Sequence, residues 1–122
     1  MLKLEIANTP SSLERGLMYR ESLPTDGGMI FVFGSTRVLN FWGMNTYVPL
    51  DIAFIGSDMR IKKISHINKF SRKTVNSESP CSMAIETNRG YFDENGISNG
   101  HKIIVKELDK NNNIVKVAFE KE

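Results

Sequence analysis

The sequence predicts a mainly β protein, built as a compact antiparallel β-sandwich or partly closed barrel with one short N-terminal helix. About seven short segments either alternate apolar and polar residues or are rich in β-branched residues, which is typical of strands. Clusters of Gly, Pro, Asn, Asp and Ser separate these segments, as turns do. Only one segment carries a clear helix start, so the helix should plug one end of the sheet or cover one face.

The N-terminal segment predicts a strand followed by the helix. Residues 2–6 alternate apolar and charged side chains, the pattern of a half-buried strand. Thr9-Pro10 then indicates a helix start, because Thr is a favoured N-cap and Pro suits the first helical position. A competing capping box spans residues 11–14. We expect the helix to cover residues 10–19, with Gly16 allowing close packing against a sheet.

The middle of the chain predicts three strands. Residues 29–33 are wholly apolar and β-rich, which favours a strand buried on both faces. Residues 38–42 form a second candidate, and Gly43 behind them indicates a bulge or a close approach of two backbones. Residues 50–55 form the third core strand.

The remaining segments predict a series of hairpins. Residues 56–58 form a turn, and residues 60–70 then repeat an apolar residue at every third position, which also fits a helix. We favour a bent strand, because a turn precedes the segment and β-branched residues fill it. Residues 83–87 predict a short strand, residues 93–95 a turn or short helix, and residues 103–119 a closing hairpin.

Composition indicates one domain over residues 1–122, with 40% hydrophobic and 25% charged residues and a formal net charge of +2. Cys81 is the only cysteine, so no internal disulfide is expected and its side chain should act as a small, partly buried filler. No apolar run is long enough to cross a membrane. The first residues carry charge and lack an apolar signal region, so we expect a cytoplasmic chain, unless a leader for export was removed.

The main candidate site lies in the stretch from Phe41 to Phe54, which holds the only Trp. Asn45 and Thr46 offer amide and hydroxyl groups, and Asp51 opens an apolar strand, where a charge needs a partner. One interpretation is a polar binding pocket with Trp42 as its aromatic wall. The alternative is an internal hydrogen-bond lock that holds a loop over the sheet.

Two further residues complete the candidate set. Glu86 lies in the short strand 83–87, where alternation places it on the same face as Ala84. Glu86 and Asp51 could act as an acid and base pair if they converge, whereas a solvent-exposed or ion-paired Glu86 would be structural. Arg20 follows the helix, and we favour an ion pair from it to Asp51 or Glu86 over binding of an anionic substrate.

Other site types find little support in the sequence. His66 and His101 are far apart and have no ligand-like spacing, so no metal site is expected. No Walker loop, dinucleotide fingerprint or nucleophile elbow occurs, and we expect no cofactor. A basic span over residues 59–77 contains no acid and could follow phosphates. Lysines that protect a sheet edge explain it as well, so we expect no binding to nucleic acid.

Five ordered motifs resemble the family called domain of unknown function 192 (DUF192). In this sequence they are Gly16-Leu17-Met18-Tyr19-Arg20, Gly28-Met29-Ile30-Phe31-Val32-Phe33, Phe41-Trp42-Gly43-Met44-Asn45-Thr46, Pro49-Leu50-Asp51-Ile52-Ala53-Phe54, and Glu86 to Gly90. The resemblance covers about residues 4–104 and implies a single β-rich domain with one short helix after the first strand. It implies no activity, although members of the family often carry an export signal or lipoprotein leader.

One departure from the family pattern lies in the third motif. The family usually reads Trp-Met-Lys-Asn-Thr, whereas Gly43 and Met44 stand here in place of Met and Lys. A function that requires that lysine is therefore not expected in this protein.

Together these features predict a small, non-enzymatic ligand-binding or accessory domain with a polar cleft lined by Trp42, Asn45, Thr46 and Asp51, with Arg20 and Glu86 as further members. Its partner would be a small molecule or another protein, and the chain would be a monomer. Two alternatives stay open: a small hydrolase or lyase using the two carboxyl groups, and a purely structural or interaction domain.

Overall fold

The computed structural model describes residues 1–121, and the chain there is mainly β, as predicted. Along the chain the elements are β1 (Leu2–Ala7), α1 (Pro10–Arg15), β2 (Gly27–Arg37), β3 (Asn40–Phe41), β4 (Leu50–Ile55), β5 (Ile61–Ile67), β6 (Val75–Asn76), β7 (Cys81–Asn88), α2 (Tyr91–Glu94), β8 (Lys102–Leu108) and β9 (Ile114–Glu120). Two of these strands, β3 and β6, form a separate two-stranded ribbon, and the other seven form one sheet.

The seven-stranded sheet has the order β5-β4-β7-β2-β1-β9-β8 and curls into a half-barrel. At one end the two edge strands meet. The backbone N–H of Ile61 donates to the carbonyl of His101 at 2.9 Å, and that of Ile103 donates to Met59 at 2.8 Å. The fold is therefore the partly closed barrel of the two predicted forms, made from one sheet rather than from two facing sheets.

All strand pairs in the large sheet are antiparallel except β1 and β2, which are parallel. The pair runs from Lys3 opposite Gly27 to Ala7 opposite Phe31. A parallel pair needs a crossover between its strands, because the chain must return to its starting edge. Helix α1 and the loop behind it supply that crossover.

Two hydrophobic clusters lie on opposite faces of the sheet. One draws buried residues from all seven strands and from α2, including Ile30, Ile85 and Phe92, and so fills the inside of the curl. The other covers the outer face and includes Phe31 and Phe54. Strand alternation sends neighbouring side chains to different clusters. The middle of the sheet is consequently buried on both faces.

Helix α1 ends earlier than predicted, at Arg15 instead of Tyr19. Thr9 is the N-cap, as expected, but its capping box is completed by Ser12 and not by the 11–14 pair: Thr9 Oγ1 accepts from Ser12 N–H at 3.1 Å. The helix stops because Gly16 adopts a positive φ of 50°, which favours glycine. A Cβ atom at this position would lie 3.1 Å from the Phe31 ring, so the predicted close packing against the sheet is confirmed.

The other predicted elements differ mainly in extent. The candidate strand 38–42 is reduced to β3, which pairs with the unpredicted β6. The segment 60–70 is a strand over Ile61–Ile67 and not a helix, and the turn before it, the short helix near residue 93 and the closing hairpin are confirmed. Cys81 is fully buried in the outer cluster.

No helix within residues 1–121 is long and apolar enough to cross a membrane.

Gly43 provides a test of the predicted close backbone approach. A Cβ atom there would overlap the carbonyl oxygen of Asn68, whereas a Cβ at Gly34 would meet nothing within 4 Å. We expect Gly43→Ala to lower the free energy of unfolding by about 2 kcal/mol, because the two loops must move apart. Urea unfolding measures this change, and Gly34→Ala is the matched control. Equal stability of the two variants would contradict the close approach.

Candidate functional site

A pocket of about 280 Å³ lies between the segment after α1, strand β2 and strand β3. Its walls are mainly apolar and aromatic, and Trp42 and Thr46 contribute to them. The lining residues are Leu13, Glu14, Arg15, Gly16, Leu17, Met18, Phe31, Phe33, Asn40, Phe41, Trp42, Thr46 and Glu86. Two of the candidate residues between Phe41 and Phe54, Trp42 and Thr46, thus share a pocket with Glu86.

Glu86 is the unusual member of this lining. It lies in β7, opposite Met29 of β2 and Ile52 of β4, so a paired strand flanks it on each side within the sheet. Its side chain lies on the same face as Ala84, as predicted, and the residue is 4% exposed. Within residues 1–121 it has no hydrogen-bond or ion-pair partner, which excludes the predicted pairing with Arg20.

Burial raises the pKa of the Glu86 carboxyl to about 8, because the ionised form is poorly solvated there. At neutral pH most molecules therefore hold Glu86 protonated. A protonated carboxyl can donate one hydrogen bond and accept others. The pocket thus presents a neutral carboxyl group whose hydrogen-bonding capacity the protein does not use.

Trp42 and Thr46 occupy different parts of the same pocket. Trp42 is 43% exposed and lies at the opening, as expected for an aromatic wall. Thr46 is 4% exposed, and its hydroxyl donates to the carbonyl of Met44 at 3.1 Å. The Thr46 oxygen keeps acceptor capacity toward the pocket after making that bond.

Asn45, like Asp51, does not line this pocket. Its backbone adopts a positive φ of 54°, and its amide donates to the Tyr19 hydroxyl at 3.0 Å. The Tyr19 N–H in turn donates to the Asn45 carbonyl at 2.8 Å. Asn45 therefore ties two loops together, which is the hydrogen-bond lock that the sequence left open as an alternative.

Asp51 also belongs to a structural network. It is 3% exposed and accepts a hydrogen bond from the Gly90 N–H at 2.8 Å. The Arg89 Nε lies 3.2 Å from one of its carboxylate oxygens, and His66 Nδ1 contacts the same oxygen. Arg89 also donates to the carbonyl of Ile67 at 3.1 Å. The network joins the ends of β4, β5 and β7.

Arg20 does not reach either candidate carboxylate. It makes a bidentate pair with Glu5, in which both N–O distances are 2.7 Å. This pairing lowers the pKa of Glu5, since the hydrogen bonds favour its ionised form. The prediction that Arg20 pairs with Asp51 or Glu86 is therefore wrong: Arg20 is taken by an acid of β1, and Arg89 serves Asp51 instead.

Asp51 and Glu86 project from opposite faces of the sheet. Glu86 lies directly opposite Ile52 of the adjacent strand, and cross-strand neighbours share a face. Asp51 precedes Ile52, so its side chain points to the other face. The two carboxyl groups cannot act on one substrate atom, and the acid and base pair that the alternative required does not form.

Several residues of both sites were not predicted. Phe31, Phe33 and Phe41 line the pocket, and Arg89 and His66 hold Asp51. The alternation of Phe31 and Phe33 was a usable signal, because residues two apart in a strand share a face. Arg89 gave no comparable signal, since its approach to Asp51 depends on which strands are neighbours.

The positions of the described side chains give no support for a metal site or for a phosphate-binding surface. Among residues 1–121 no group of three His, Cys, Asp or Glu side chains is close enough to hold a metal ion. In the basic span, Lys62 pairs with Asp58 at 2.5 Å and Lys63 with Glu78 at 3.0 Å. Part of its charge is thus neutralised by acids outside the span.

Removal of the Asp51 charge tests the structural network. We expect Asp51→Asn to lower the free energy of unfolding by about 2 to 4 kcal/mol, because Arg89 then stays partly buried without its counter-charge. Chemical denaturation gives the value. Glu107→Gln, which removes one partner of the exposed Lys116–Glu107 pair at 3.1 Å, is the control and should leave stability unchanged. A stable Asp51→Asn variant would argue against the network.

The raised pKa of Glu86 predicts a pH-dependent penalty. The unfolded chain loses this proton near the ordinary value of 4.5, and the folded chain keeps it up to about pH 8. The folded state therefore loses stability as pH rises from 4.5 to 8, by roughly 5 kcal/mol in total, and the loss levels off above pH 8. The Glu86→Gln variant has no ionisable group at this position, so it does not show this pH-dependent loss of stability.

Urea unfolding of wild type and Glu86→Gln at several pH values isolates the effect, because other titrating groups cancel in the difference. We expect the variant to gain stability relative to wild type between pH 5 and pH 8. A difference that does not change with pH would mean that Glu86 is ionised in the folded state or titrates normally.

Two solved structures resemble the chain in sequence and fold. A protein of Sinorhizobium meliloti, described as a candidate transcription regulator, is 40% identical with a TM-score of 0.81; the match covers 83% of this chain and 79% of that one. A protein of unknown function from Novosphingobium aromaticivorans is 32% identical with a TM-score of 0.80, over 83% of this chain and 73% of the other.

No protein with a curated description matches the sequence. The DUF192 family, described as uncharacterized ACR, matches residues 1–105. The match includes α1, the strands that carry the pocket and the Asp51 network. The resemblance read from the five motifs is confirmed: the chain belongs to the DUF192 family, whose function is unknown.

Proposed function

We propose that this protein binds a small molecule in the pocket beside Glu86, and that the Glu86 carboxyl is its polar anchor. The observation that carries the proposal is the carboxyl group of Glu86, a residue that is 4% exposed, lines a pocket and has no hydrogen-bond or ion-pair partner within residues 1–121. Buried polar groups are nearly always hydrogen-bonded, so an unpartnered one at a pocket wall points to a partner from solution.

Glu86 and Asp51 differ in how the fold compensates the burial of their carboxyl groups. Asp51 has an arginine, a histidine and a backbone N–H as partners, so its buried charge is compensated within the fold. Glu86 gains no such contact and lowers the stability of the fold at neutral pH. A glutamine or leucine at this position would cost less, and a destabilising residue is expected where function requires it.

The size and lining of the pocket limit the ligand. Its volume of about 280 Å³ is at the small end for ligand sites. The walls offer aromatic rings from Phe31, Phe41 and Trp42, and polar contacts from Glu86 and Thr46. The geometry supports a ligand with a compact apolar body and one polar group directed at Glu86.

A screen of small fragments with Trp42 fluorescence as the signal tests the proposal. The only Trp lies at the pocket opening, so a bound ligand should change its emission. We expect hits whose affinity falls about tenfold or more in Glu86→Leu, because the ligand then loses a buried hydrogen bond. Amide NMR shifts around residues 42–46 and 86 would confirm the location.

Glu107→Gln serves as the control and should bind each hit with wild-type affinity, since residue 107 lies outside the pocket. A screen without hits, or hits that bind Glu86→Leu as tightly as wild type, would overturn the proposal.

A further inference from the structure

We propose that the ligand of this pocket is a small organic cation, whose ammonium group is held by the Glu86 carboxylate against the surrounding aromatic rings. This inference rests on the proposed function and specifies its ligand class. The unusual combination is a buried acid without a partner and a wall of several aromatic side chains, which is the environment that organic ammonium ions favour.

The charges around the pocket favour a cation over an anion. Three charged side chains line it: Glu86 in the buried part, and the exposed Glu14 and Arg15 from α1. The Arg15 guanidinium lies 5.4 Å from the centroid of the Tyr19 ring, so it already has an aromatic contact. The lining therefore contains two acidic side chains and one basic side chain, and the buried one, Glu86, is acidic. An anionic ligand would meet no buried positive charge there.

The aromatic rings stand at angles that form the sides of a corner. The Phe31 and Phe41 rings are 5.0 Å apart and nearly perpendicular, at 82°. The Phe33 and Phe41 rings are 6.2 Å apart at 85°. Such a corner offers both ring faces and ring edges to a bound group, and a cation is attracted to the faces.

A cation already interacts with the outer part of this cluster. The Arg37 guanidinium lies 4.8 Å from the centroid of the Phe33 ring. This contact involves an exposed side chain of β2 and leaves Glu86 without a partner. The Phe33 ring that Arg37 contacts also lines the pocket, which supports recognition of a second positive charge by this aromatic cluster.

Binding of an ammonium ion would change the protonation of Glu86. The protonated carboxyl releases one proton to solvent, and the carboxylate that remains pairs with the ammonium group, so the net charge of pocket and ligand remains balanced. A buried ion pair of this kind is favourable only with good geometry and a second source of stabilisation. The ring faces and the Thr46 oxygen provide that source.

Three probes of similar shape and different charge test the inference: benzylammonium, benzyl alcohol and benzoate. In phosphate buffer at pH 7, titration followed by Trp42 fluorescence should show benzylammonium binding about tenfold or more tightly than benzyl alcohol. Benzoate should not bind detectably. Because Glu86 must lose its proton, the affinity for benzylammonium should increase between pH 6 and pH 8.

Two variants locate the effect. Glu86→Gln keeps the size and the hydrogen-bonding ability of the side chain but cannot ionise, so it should lose the preference for benzylammonium and the pH dependence. Glu107→Gln removes an exposed carboxylate that lies outside the pocket, and it should keep both. Retention of the preference in Glu86→Gln would overturn the inference.

The outcomes for the ligand class and for the proposed function are distinct. If benzyl alcohol or benzoate binds wild type as tightly as benzylammonium, the ligand is not a cation, while the pocket remains a binding site. If none of the three probes binds, the organic cation is rejected. The proposed function then stands or falls with the fragment screen alone.

Discussion

The burial of β4, β7 and β2 on both faces is the constraint on which the rest of the structure depends. Each of these strands lies between two others and is covered by one hydrophobic cluster on each face. A carboxyl group in such a position has no solvent to stabilise its charge. Asp51 and Glu86 both occupy this environment, and the protein resolves their burial in opposite ways. Asp51 is surrounded by donors, whereas Glu86 is left without one.

This difference assigns different roles to two residues that looked alike in the sequence. The donors around Asp51 come from β5 and from the turn after β7, so the carboxylate fixes how three strand ends meet. Within residues 1–121, Glu86 makes no contact that holds strand ends together. Side chains from the segment after α1 and from β3 enclose the space beside it. The close approach at Gly16 brings the segment after α1 onto Phe31 of β2, whereas the close approach at Gly43 brings the loop after β3 against Asn68 of the loop after β5. The first of these contacts places one wall of the pocket directly on the sheet.

Much of the fold could be predicted from the sequence, because its signals are local. The alternation in β1, the apolar run of β4 and the turn-rich closing hairpin each define an element without reference to the rest. Strand alternation also predicted that the Glu86 side chain lies on the same face of the sheet as Ala84. The strand order, the parallel β1–β2 pair and the partner of Asp51 could not be predicted, since they depend on contacts between distant segments. The predicted pairing of Arg20 with Asp51 or Glu86 was wrong for this reason.

The position of β1 has a consequence for how the protein is made. This first strand pairs with β2 on one side and with β9 on the other, through Lys3 opposite Gly27 and opposite Lys116. Among the strands of this sheet, β1 leaves the ribosome first and β9 leaves it last. One edge of β1 therefore stays uncovered until the other strands of the sheet have been translated. A nascent chain in that state exposes a β edge for pairing with other molecules, so chaperone contact during translation would matter most for its N-terminal residues.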